Sequence, residues 1–442
     1  MGKLFVVIML FAPSIVLGQT YLQTDEWERA ATKKLVKELK ASAKNGDGEA
    51  AFGLGNLFFN GQVIKEDYDE ALKWYELAVD NGYKKAQEQM GDVQMKMLEV
   101  GLVNGKLKDM DALSLAVAIG NCYVGAITYY QNKLDKKRVA DKILRIGEFE
   151  HQVVNGNETI MEEKDNSSAI SYYKLAARNG SLEAASWLGL YYEKRKDFKQ
   201  AIQFFELAAN EGDFISQARA GEYYYEGKRV TKDTNKSFKY TKLACLNLDE
   251  DDVVDFIEAQ ESQSGGIMHR LAACYRYGIG TTANAECAEY WDYLSALYGD
   301  TAGQEILTFN GLNISKDDPN IWQSVFLKFL PVLQRASANN TSALVLYYIA
   351  LTNSKDVSVS SQALNKLASL IDGNTLDDVT KASVCDFLFQ VYNGAAKTYP
   401  DNKDFLASEA NKFAQKRKEI EVEEIASAKW FLNTIRLSMR VF

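Results

Sequence analysis

The chain has 442 residues, of which 47% are hydrophobic and 25% are charged, as in ordinary globular proteins. Its formal net charge of −9 argues against a general nucleic-acid partner or an anionic membrane surface, because both select basic proteins. No dense basic stripe is expected to offset this charge. Only 4 prolines occur, so long helices with few proline-broken turns are predicted.

The first residues have the layout of a secretory signal peptide. Lys3 gives a basic start, residues 4–16 are almost wholly apolar, and small Gly18 precedes polar residues. An apolar core of roughly 7–15 residues is typical of such a signal, whereas a membrane span needs about 20. We therefore expect cleavage near Gly18, loss of residues 1–18 and an exported mature chain without a membrane span. A bacterial periplasm or secretion is favoured over the eukaryotic secretory pathway.

From residue 49 the chain reads as pairs of amphipathic helices that repeat one frame. In the first pair, one apolar helix face runs from Ala51 to Phe58, and Asp67 caps a second helix that stops at Gly82. The frame of cap, small, aromatic, small and stop residues recurs with spacings of 4, 3, 4 and 4. Its five copies are Asp67, Ala71, Trp74, Ala78, Gly82; Asp165, Ala169, Tyr172, Ala176, Gly180; Asp197, Ala201, Phe204, Ala208, Gly212; Asp233, Ser237, Tyr240, Ala244, Leu248; and Asn284, Ala288, Trp291, Ser295, Gly299. A sixth, degraded copy is expected from Met90 to Gly120. Because one pair cannot bury its own faces, the pairs must stack.

The first helix of each pair carries a second mark. The pattern Leu-Gly-x2-[Tyr/Phe]-x2-Gly spans Leu54–Gly61 and, closely, Ala220–Gly227 and Leu271–Gly278. Together with the aromatic pair Trp74–Tyr75, it resembles the Sel-like repeat, a relative of the tetratricopeptide repeat. The resemblance covers about residues 49–310. It implies an all-α fold, a right-handed α-solenoid of antiparallel helix pairs, and a role as a protein- or peptide-binding scaffold.

Five cysteines occur without a CxxC motif: Cys122, Cys245, Cys274, Cys287 and Cys385. A chain of this size does not need disulfides to fold, so buried core roles are favoured, and one bridge stays open. The resemblance includes a cysteine-rich secreted branch, whose members resemble penicillin-binding or β-lactamase proteins. Cys245 stands where that branch places its first cysteine, but no cysteine holds the partner position before Leu271. The resemblance to this branch leaves a cell-envelope hydrolase or β-lactam-binding protein as an alternative function, although the missing cysteine does not favour it.

No motif predicts a catalytic, cofactor or metal site. His151 and His269 lie in no HExxH motif and have no recurring metal-site spacing, so packing or surface roles are predicted. No GxSxG elbow or P-loop is present in the sequence. The acidic cluster at residues 249–252 lacks EF-hand spacing and suits a helix N-terminus. We therefore predict a non-enzymatic protein with no cofactor.

Consecutive tyrosines are the remaining candidates for partner binding. Runs at residues 191–192 and 223–225 cannot point wholly into one core, and a tyrosine combines an apolar ring with a polar tip. Tyr192, Tyr224 and Tyr225 are the candidate partner-binding residues on the curved surface. Packing between repeats is the alternative role for each. The expected partner is a protein or peptide whose identity the sequence does not give.

Two flanking regions complete the predicted organisation. Residues 19–48 are expected to form an N-terminal capping helix. Residues 311–442 have helical periodicity without the frame and are predicted to be diverged pairs that cap the solenoid. A long helix is expected from Asp404 onward. Two alternatives stay open: a separate partner-binding domain, and a structural subunit whose apolar end, residues 430–442, docks in a larger assembly.

Overall fold

The computed structural model describes residues 21–61, 64–104, 109–155, 164–165, 167–248, 264–309, 321–420 and 434–442, and these ranges hold helices and no strand. The first helices are α1 (Tyr21–Lys44), α2 (Gly48–Asn60), α3 (Tyr68–Asp80), α4 (Ala86–Val103), α5 (Asp109–Tyr129), α6 (Lys133–Asn155), α7 (Ser168–Arg178) and α8 (Leu182–Lys194). Then follow α9 (Phe198–Asn210), α10 (Phe214–Glu226), α11 (Thr234–Asn247), α12 (Ser264–Tyr277), α13 (Ala285–Leu297) and α14 (Thr301–Phe309). The C-terminal helices are α15 (Ile321–Ala336), α16 (Thr341–Leu351), α17 (Val357–Ile371), α18 (Asp378–Thr398) and α19 (Lys403–Lys418). Short 3₁₀ turns lie at Pro400–Asn402 and Met439–Val441.

The chain divides into two compact units, residues 1–191 and residues 192–442. In the first unit, α1 through α7 form a continuous series in which neighbouring helices pack together. In the second unit, the same holds from α9 to α14 and again from α15 to α19. Each unit is therefore a stack of consecutive helices, and the predicted all-α repeat solenoid is confirmed.

The second helix of most pairs begins at the predicted cap. The side chains of Asp67, Asp197, Asp233 and Asn284 each accept a hydrogen bond from the backbone N–H three residues later, at 3.0–3.1 Å. The cap predicted at Asp165 is wrong. The α7 helix is capped by Ser167, whose Oγ accepts a hydrogen bond from the N–H of Ile170 at 3.2 Å. The carboxylate of Asp165 instead forms an ion pair with Lys174 at 3.0 Å.

The second helices also end where the frame places its stop residues. Gly82 and Gly212 follow α3 and α9 with φ angles of 88° and 108°, the left-handed region that glycine adopts without strain. Leu248 holds this position after α11, and there the backbone is extended instead, with φ −57° and ψ 110°. The stop residue therefore sets how the chain leaves each pair.

A glycine of the first helix closes each of three pairs against its second helix. A Cβ atom added at Gly55 would lie 2.4 Å from the ring of Tyr75, and one added at Gly91 would lie 2.5 Å from the ring of Tyr123. One at Gly221 would lie 2.6 Å from Oγ1 of Thr241. Since packed atoms do not approach so closely, any side chain here forces its neighbour to move. The α4–α5 pair lies where the sixth, degraded copy is expected, and it keeps the glycine contact of the regular pairs. Its second helix, α5, continues past the predicted end at Gly120 to Tyr129.

The frame aromatic reaches the second helix of the preceding pair. Tyr172 of α7 lies against Gly120 of α5, where an added Cβ would meet the tyrosine hydroxyl at 2.3 Å. The hydroxyl of Tyr240 in α11 lies 3.3 Å from Oδ1 of Asn210 in α9. These contacts join one pair to the next, as expected for stacked repeats.

One helix among the described residues is long and apolar enough to span a membrane. It is the stretch Asp111–Tyr129 of α5, which qualifies by length and composition alone, and the expectation of a mature chain without a membrane span stays a prediction. Its face with Ala116, Ile119 and Tyr123 is buried against neighbouring helices. A single helix of this kind is weak evidence for a span, because the core helix of a soluble protein meets the same criteria.

The C-terminal helices share a core with the last repeats. One cluster of buried hydrophobic residues runs from Phe214 to Met439. Arg436, 3% exposed, donates a hydrogen bond to the carbonyl oxygen of Cys245 at 2.8 Å and so attaches the end of the chain to α11. Ile435 and Met439 are buried, as the apolar pattern indicates. One hydrophobic core therefore joins the C-terminal helices to the last repeats, and their role as a cap of the solenoid stays a prediction.

The long helix predicted from Asp404 onward is wrong. The α19 helix ends at Lys418, and the N–H of Glu419 bonds to the carbonyl oxygen of Lys416 in a tight last turn. Residues 421–433, which include the apolar residues expected near Trp430, lie outside the described ranges. The signal-peptide prediction and the acidic cluster at residues 249–252 also lie outside them.

Candidate functional site

An open groove lies between α4 and α6, the first helices of two successive pairs. It has a volume of about 560 Å³. Asp92 and Met95 of α4 and Tyr123 of α5 line one side of it. The other lining residues lie on one broad face of α6: Leu134, Lys137, Arg138, Asp141, Lys142 and Arg145. We refer to this site as the α4–α6 groove.

A buried carboxylate holds two of the cations in place. Glu88 of α4 is 1% exposed and accepts a hydrogen bond from the hydroxyl of Tyr130 at 2.6 Å. It also forms ion pairs with the guanidinium of Arg138 and with Nζ of Lys142, the latter at 2.8 Å. A buried carboxylate is stable only when such donors satisfy it. The network therefore fixes α6 against α4 and the loop after α5.

Asp92 extends this network along the groove. Its carboxylate pairs with Nζ of Lys142 at 2.6 Å and accepts a hydrogen bond from the hydroxyl of Tyr123 at 2.9 Å. Burial and the charge of Asp92 raise the pKa of Tyr123, so this hydroxyl stays a donor at neutral pH. The ammonium of Lys142 also lies 5.5 Å from the centre of the Tyr123 ring, in the range of a cation–π contact.

Two groove cations form no ion pair with any residue that the structure describes. Lys137 and Arg145 are exposed, while Arg138 and Lys142 are held by the acidic residues of α4. At one end of the same helix face, Leu134 is 81% exposed. The groove thus offers an apolar contact and two available positive charges in a chain with a net charge of −9.

Sequence reasoning missed this groove, and the expectation of no basic stripe is wrong at α6. The signal is present in the sequence, because successive members of the set are 3 residues or 1 residue apart, which places them on one helix face: Leu134, Lys137, Arg138, Asp141, Lys142 and Arg145. The net charge of the whole chain does not reveal this local run of cations on α6. The carboxylates that fix two of its cations lie about 50 residues away, on α4.

The three candidate tyrosines lie in or near the packing between helices. The ring of Tyr192, 5% exposed, stacks on Phe204 with centroids 5.6 Å apart, and that of Tyr224, 8% exposed, stacks on Tyr240 at 6.5 Å. Tyr225 is half-buried. Their role in partner binding stays a prediction, and two of the three have little surface to offer a partner.

Tyr224 also belongs to a polar network. Its hydroxyl donates to Oε1 of Glu206 at 3.0 Å and accepts from Nζ of Lys236 at 3.2 Å, and the two charged groups pair at 2.7 Å. The hydroxyl of Tyr240 lies beside the same Glu206 carboxylate. Burial raises the pKa of Tyr240 to about 12, and the negative charge of Glu206 contributes to this rise. This network joins α9, α10 and α11, so it has a clear structural role.

The remaining polar candidates also have structural roles. His269 Nδ1 lies 3.3 Å from the carboxylate of Asp292, which is 2% exposed and pairs with Arg276. His151 is buried within α6. Among the described residues, no group of three or more His, Cys, Asp or Glu side chains is placed to hold a metal ion.

All five cysteines lie in the described part of the chain as free thiols, and four of them are buried. Burial raises the pKa of the Cys122, Cys274 and Cys385 thiols to about 11. At neutral pH these side chains are therefore protonated, and a protonated thiol is a poor nucleophile.

Comparison with known proteins places the repeats in a family. The Sel1 repeat family matches at residues 48–83, 156–181, 182–213, 215–247 and 268–296. The chain is a Sel1 repeat protein. Sel1 repeat proteins generally mediate protein–protein interactions, and they are typically non-catalytic scaffolds. The matches leave out residues 84–155, which contain the α4–α6 groove.

Two solved structures resemble the chain. A Sel1 repeat protein from Oxalobacter formigenes is 16% identical with a TM-score of 0.35, over 84% of this chain and 96% of that one. A protective antigen present in uropathogenic Escherichia coli strains, which displays an SLR fold, is 16% identical with a TM-score of 0.28, over 91% and 93%. At these scores neither likeness bears on function here. No curated protein matches the chain.

Proposed function

We propose that this Sel1 repeat protein is a non-enzymatic scaffold of the cell envelope or secreted space, and that it binds a protein or peptide partner in the α4–α6 groove. The observation that supports this proposal is the open groove of about 560 Å³ between two stacked pairs. A rigid network around Glu88 supports its walls. A surface that is held in place before binding loses less entropy when the partner arrives.

The groove also lies in the part of the repeat array that the family model does not match. Residues 84–155 escape the family match, although α4 and α5 keep the glycine–tyrosine contact of a regular pair. The groove therefore combines the packing contact of a regular pair with surface residues outside the family match, and function resides in sites carried by a common fold.

Affinity capture with site-specific cross-linking tests the scaffold role. The mature chain, residues 19–442, carries a photo-reactive residue at Lys137 in the groove or at exposed Lys366 on α17 and is incubated with its own envelope lysate. We expect one protein to cross-link from position 137 only, and to bind again as a purified protein. Cross-linking from both positions alike, or from neither, contradicts the proposal.

Export is proposed from the signal-peptide pattern of the first residues. N-terminal sequencing of the protein from fractionated cells tests it, and the expected result is an envelope or secreted chain that begins shortly after Gly18. A chain that retains Met1 in the cytoplasmic fraction contradicts export without affecting the binding proposal.

A further inference from the structure

The charges of the α4–α6 groove indicate what it binds. Four cations line it, but Arg138 and Lys142 are balanced by Glu88 and Asp92. The two other cations, Lys137 and Arg145, form no ion pair with a described residue. Asp141 lies on the same helix between them, and Glu148 lies three positions beyond Arg145. Burial raises the pKa of Glu148, and the charge of Arg145 lowers it in part. Of these groups, the two exposed cations are the ones available to a negatively charged ligand.

The spacing of these cations sets the form of the ligand. Lys137 and Arg145 are eight positions apart on α6, which is about 12 Å along the helix axis. An extended peptide advances about 3.3 Å per residue, so two carboxylates about four residues apart span the same distance. A single phosphate or carboxylate would engage both only if the two long side chains bent towards each other, so this spacing suits two separate anionic groups better.

Leu134 adds an apolar contact at one end. It precedes Lys137 by three positions, about 4.5 Å along the helix, and is 81% exposed. In an extended peptide whose first carboxylate lies over Lys137, an apolar side chain one or two residues from that carboxylate, on the side away from Arg145, reaches Leu134. Burying a leucine contributes to affinity in proportion to the apolar area removed from water.

We propose that the groove binds an extended acidic segment of a partner protein, with two carboxylates about four residues apart over Lys137 and Arg145 and an apolar side chain on Leu134. This rests on the proposed scaffold function and adds the chemical class of the partner. Charge complementarity supports it, because the net charge of −9 repels an acidic segment from most of the molecule and the exposed cations of α6 attract it locally.

Fluorescence anisotropy of a labelled synthetic peptide tests the proposal. The probe carries one leucine, a serine, an aspartate, three serines and a second aspartate, and the mature chain is titrated into it at low salt. One control peptide has asparagine in place of both aspartates. A second has the two aspartates adjacent. We expect the spaced acidic peptide to bind most tightly and to weaken as salt is added, because exposed ion pairs are screened.

Charge reversal identifies the surface. The double variant Lys137→Glu with Arg145→Glu is expected to weaken the spaced peptide about ten-fold or more. The variant Leu134→Ala is expected to weaken it about three- to ten-fold. The matched control is Lys199→Glu with Lys366→Glu, two exposed helical lysines whose reversal changes the net charge equally. It is expected to leave the affinity within about two-fold of the unmodified chain.

The possible results separate this inference from the scaffold proposal. Equal binding of the asparagine peptide, or equal loss in the control pair, overturns the inference. So does tighter binding of a single-stranded DNA oligonucleotide that competes for Lys137 and Arg145. If one protein still cross-links from position 137 while the acidic peptide fails to bind, the scaffold proposal stands and the acidic-segment inference fails. If the peptide binds as expected while no protein cross-links from the lysate, the preference of the groove for an acidic segment stands, but the scaffold proposal fails and with it the assignment of that segment to a partner protein.

Discussion

The pairs α2–α3 and α4–α5 follow each other in the chain, and they differ in almost everything except the contact that holds each together. The first has two 13-residue helices, a capped start and the full family frame. The second has helices of 18 and 21 residues and no family match. Yet Gly55 faces Tyr75 as closely as Gly91 faces Tyr123. The glycine–tyrosine contact is therefore the feature that these two pairs share, and caps and lengths vary around it.

The second difference is chemical. Tyr75 donates to the side chain of Asn56 at 2.8 Å, within its own pair, whereas the hydroxyl of Tyr123 binds Asp92 in the charged network of the groove. The same packing residue thus bonds to a neutral amide in one pair and to a carboxylate of the groove in the next. The residue that the tyrosine hydroxyl contacts can therefore differ between pairs while the two helices stay packed together.

The largest effect is expected when the tyrosine is removed. Tyr75→Ala and Tyr123→Ala each leave a large cavity beside a glycine, and each is expected to lower the free energy of unfolding by about 3–5 kcal/mol. Urea denaturation followed by circular dichroism measures it. Tyr129→Ala, at a 45% exposed position on α5, is the control and should change stability by about 0.5 kcal/mol or less. A small loss for Tyr123→Ala beside a large one for Tyr75→Ala would show that α4–α5 is held by other contacts.

A smaller effect is expected on the glycine side. In Gly55→Ala and Gly91→Ala the new methyl group must displace a buried ring, which outweighs the gain in helix propensity, for a net loss of about 1–2 kcal/mol. Gly53 is the matched control, because it lies two residues from Gly55 on α2 with nothing within 4 Å of an added Cβ. Gly53→Ala is expected to stabilise the chain by up to about 1 kcal/mol. The same sign for Gly53→Ala and Gly55→Ala in thermal denaturation would refute the close contact.

How far the sequence predicts this structure depends on the range of the interactions. Asp67 and Gly82 act on their own helices, so a cap and a stop can be recognised within a few residues. Asp165 was predicted wrongly because Ser167, two residues later, competes for the same role. Tyr123 was missed because position 115, where the frame would place its cap, is a leucine within α5.

The groove could not be predicted in the same way. Its cations on α6 are visible as a stripe, but which of them are available depends on Glu88 and Asp92, which lie on another pair. Conversely, Tyr192 and Tyr224 suggest recognition in the sequence and stack within their repeats in the structure. Whether a side chain is exposed depends on the helices that stack against its repeat, so the sequence of one repeat does not predict it.

The charged network of the groove gives the next prediction. Glu88→Gln keeps the shape of the side chain but removes the charge that faces Arg138 and Lys142. We expect a loss of about 0.5–1.5 kcal/mol, a modest figure because both cations keep access to water. Urea denaturation measures it, with Glu99→Gln on the exposed face of α4 as the control. Unchanged stability of Glu88→Gln would mean that the network does not hold α4 to α6.

Glu150 is a second buried carboxylate in the first unit, and the opposite sign is expected for it. It is 4% exposed, and its Oε1 has no hydrogen-bond partner among the described residues. Burial raises its pKa, although a hydrogen bond with Ser168 lowers it in part. Because the folded pKa lies above the unfolded one, the ionised carboxylate disfavours folding at neutral pH, and this cost disappears as the pH falls below the ordinary carboxyl pKa of about 4.3.

Glu150→Gln is therefore expected to stabilise the chain at about pH 7, with a gain that shrinks towards about pH 4. Urea denaturation at both pH values measures it, and Glu183→Gln, at an exposed position on α8, is the control that should show no such trend. A loss of stability at neutral pH would mean that Glu150, like Glu88, is held by a positive charge. Opposite signs for the two substitutions would show that cations stabilise the buried charge of the groove and that no cation does so for Glu150.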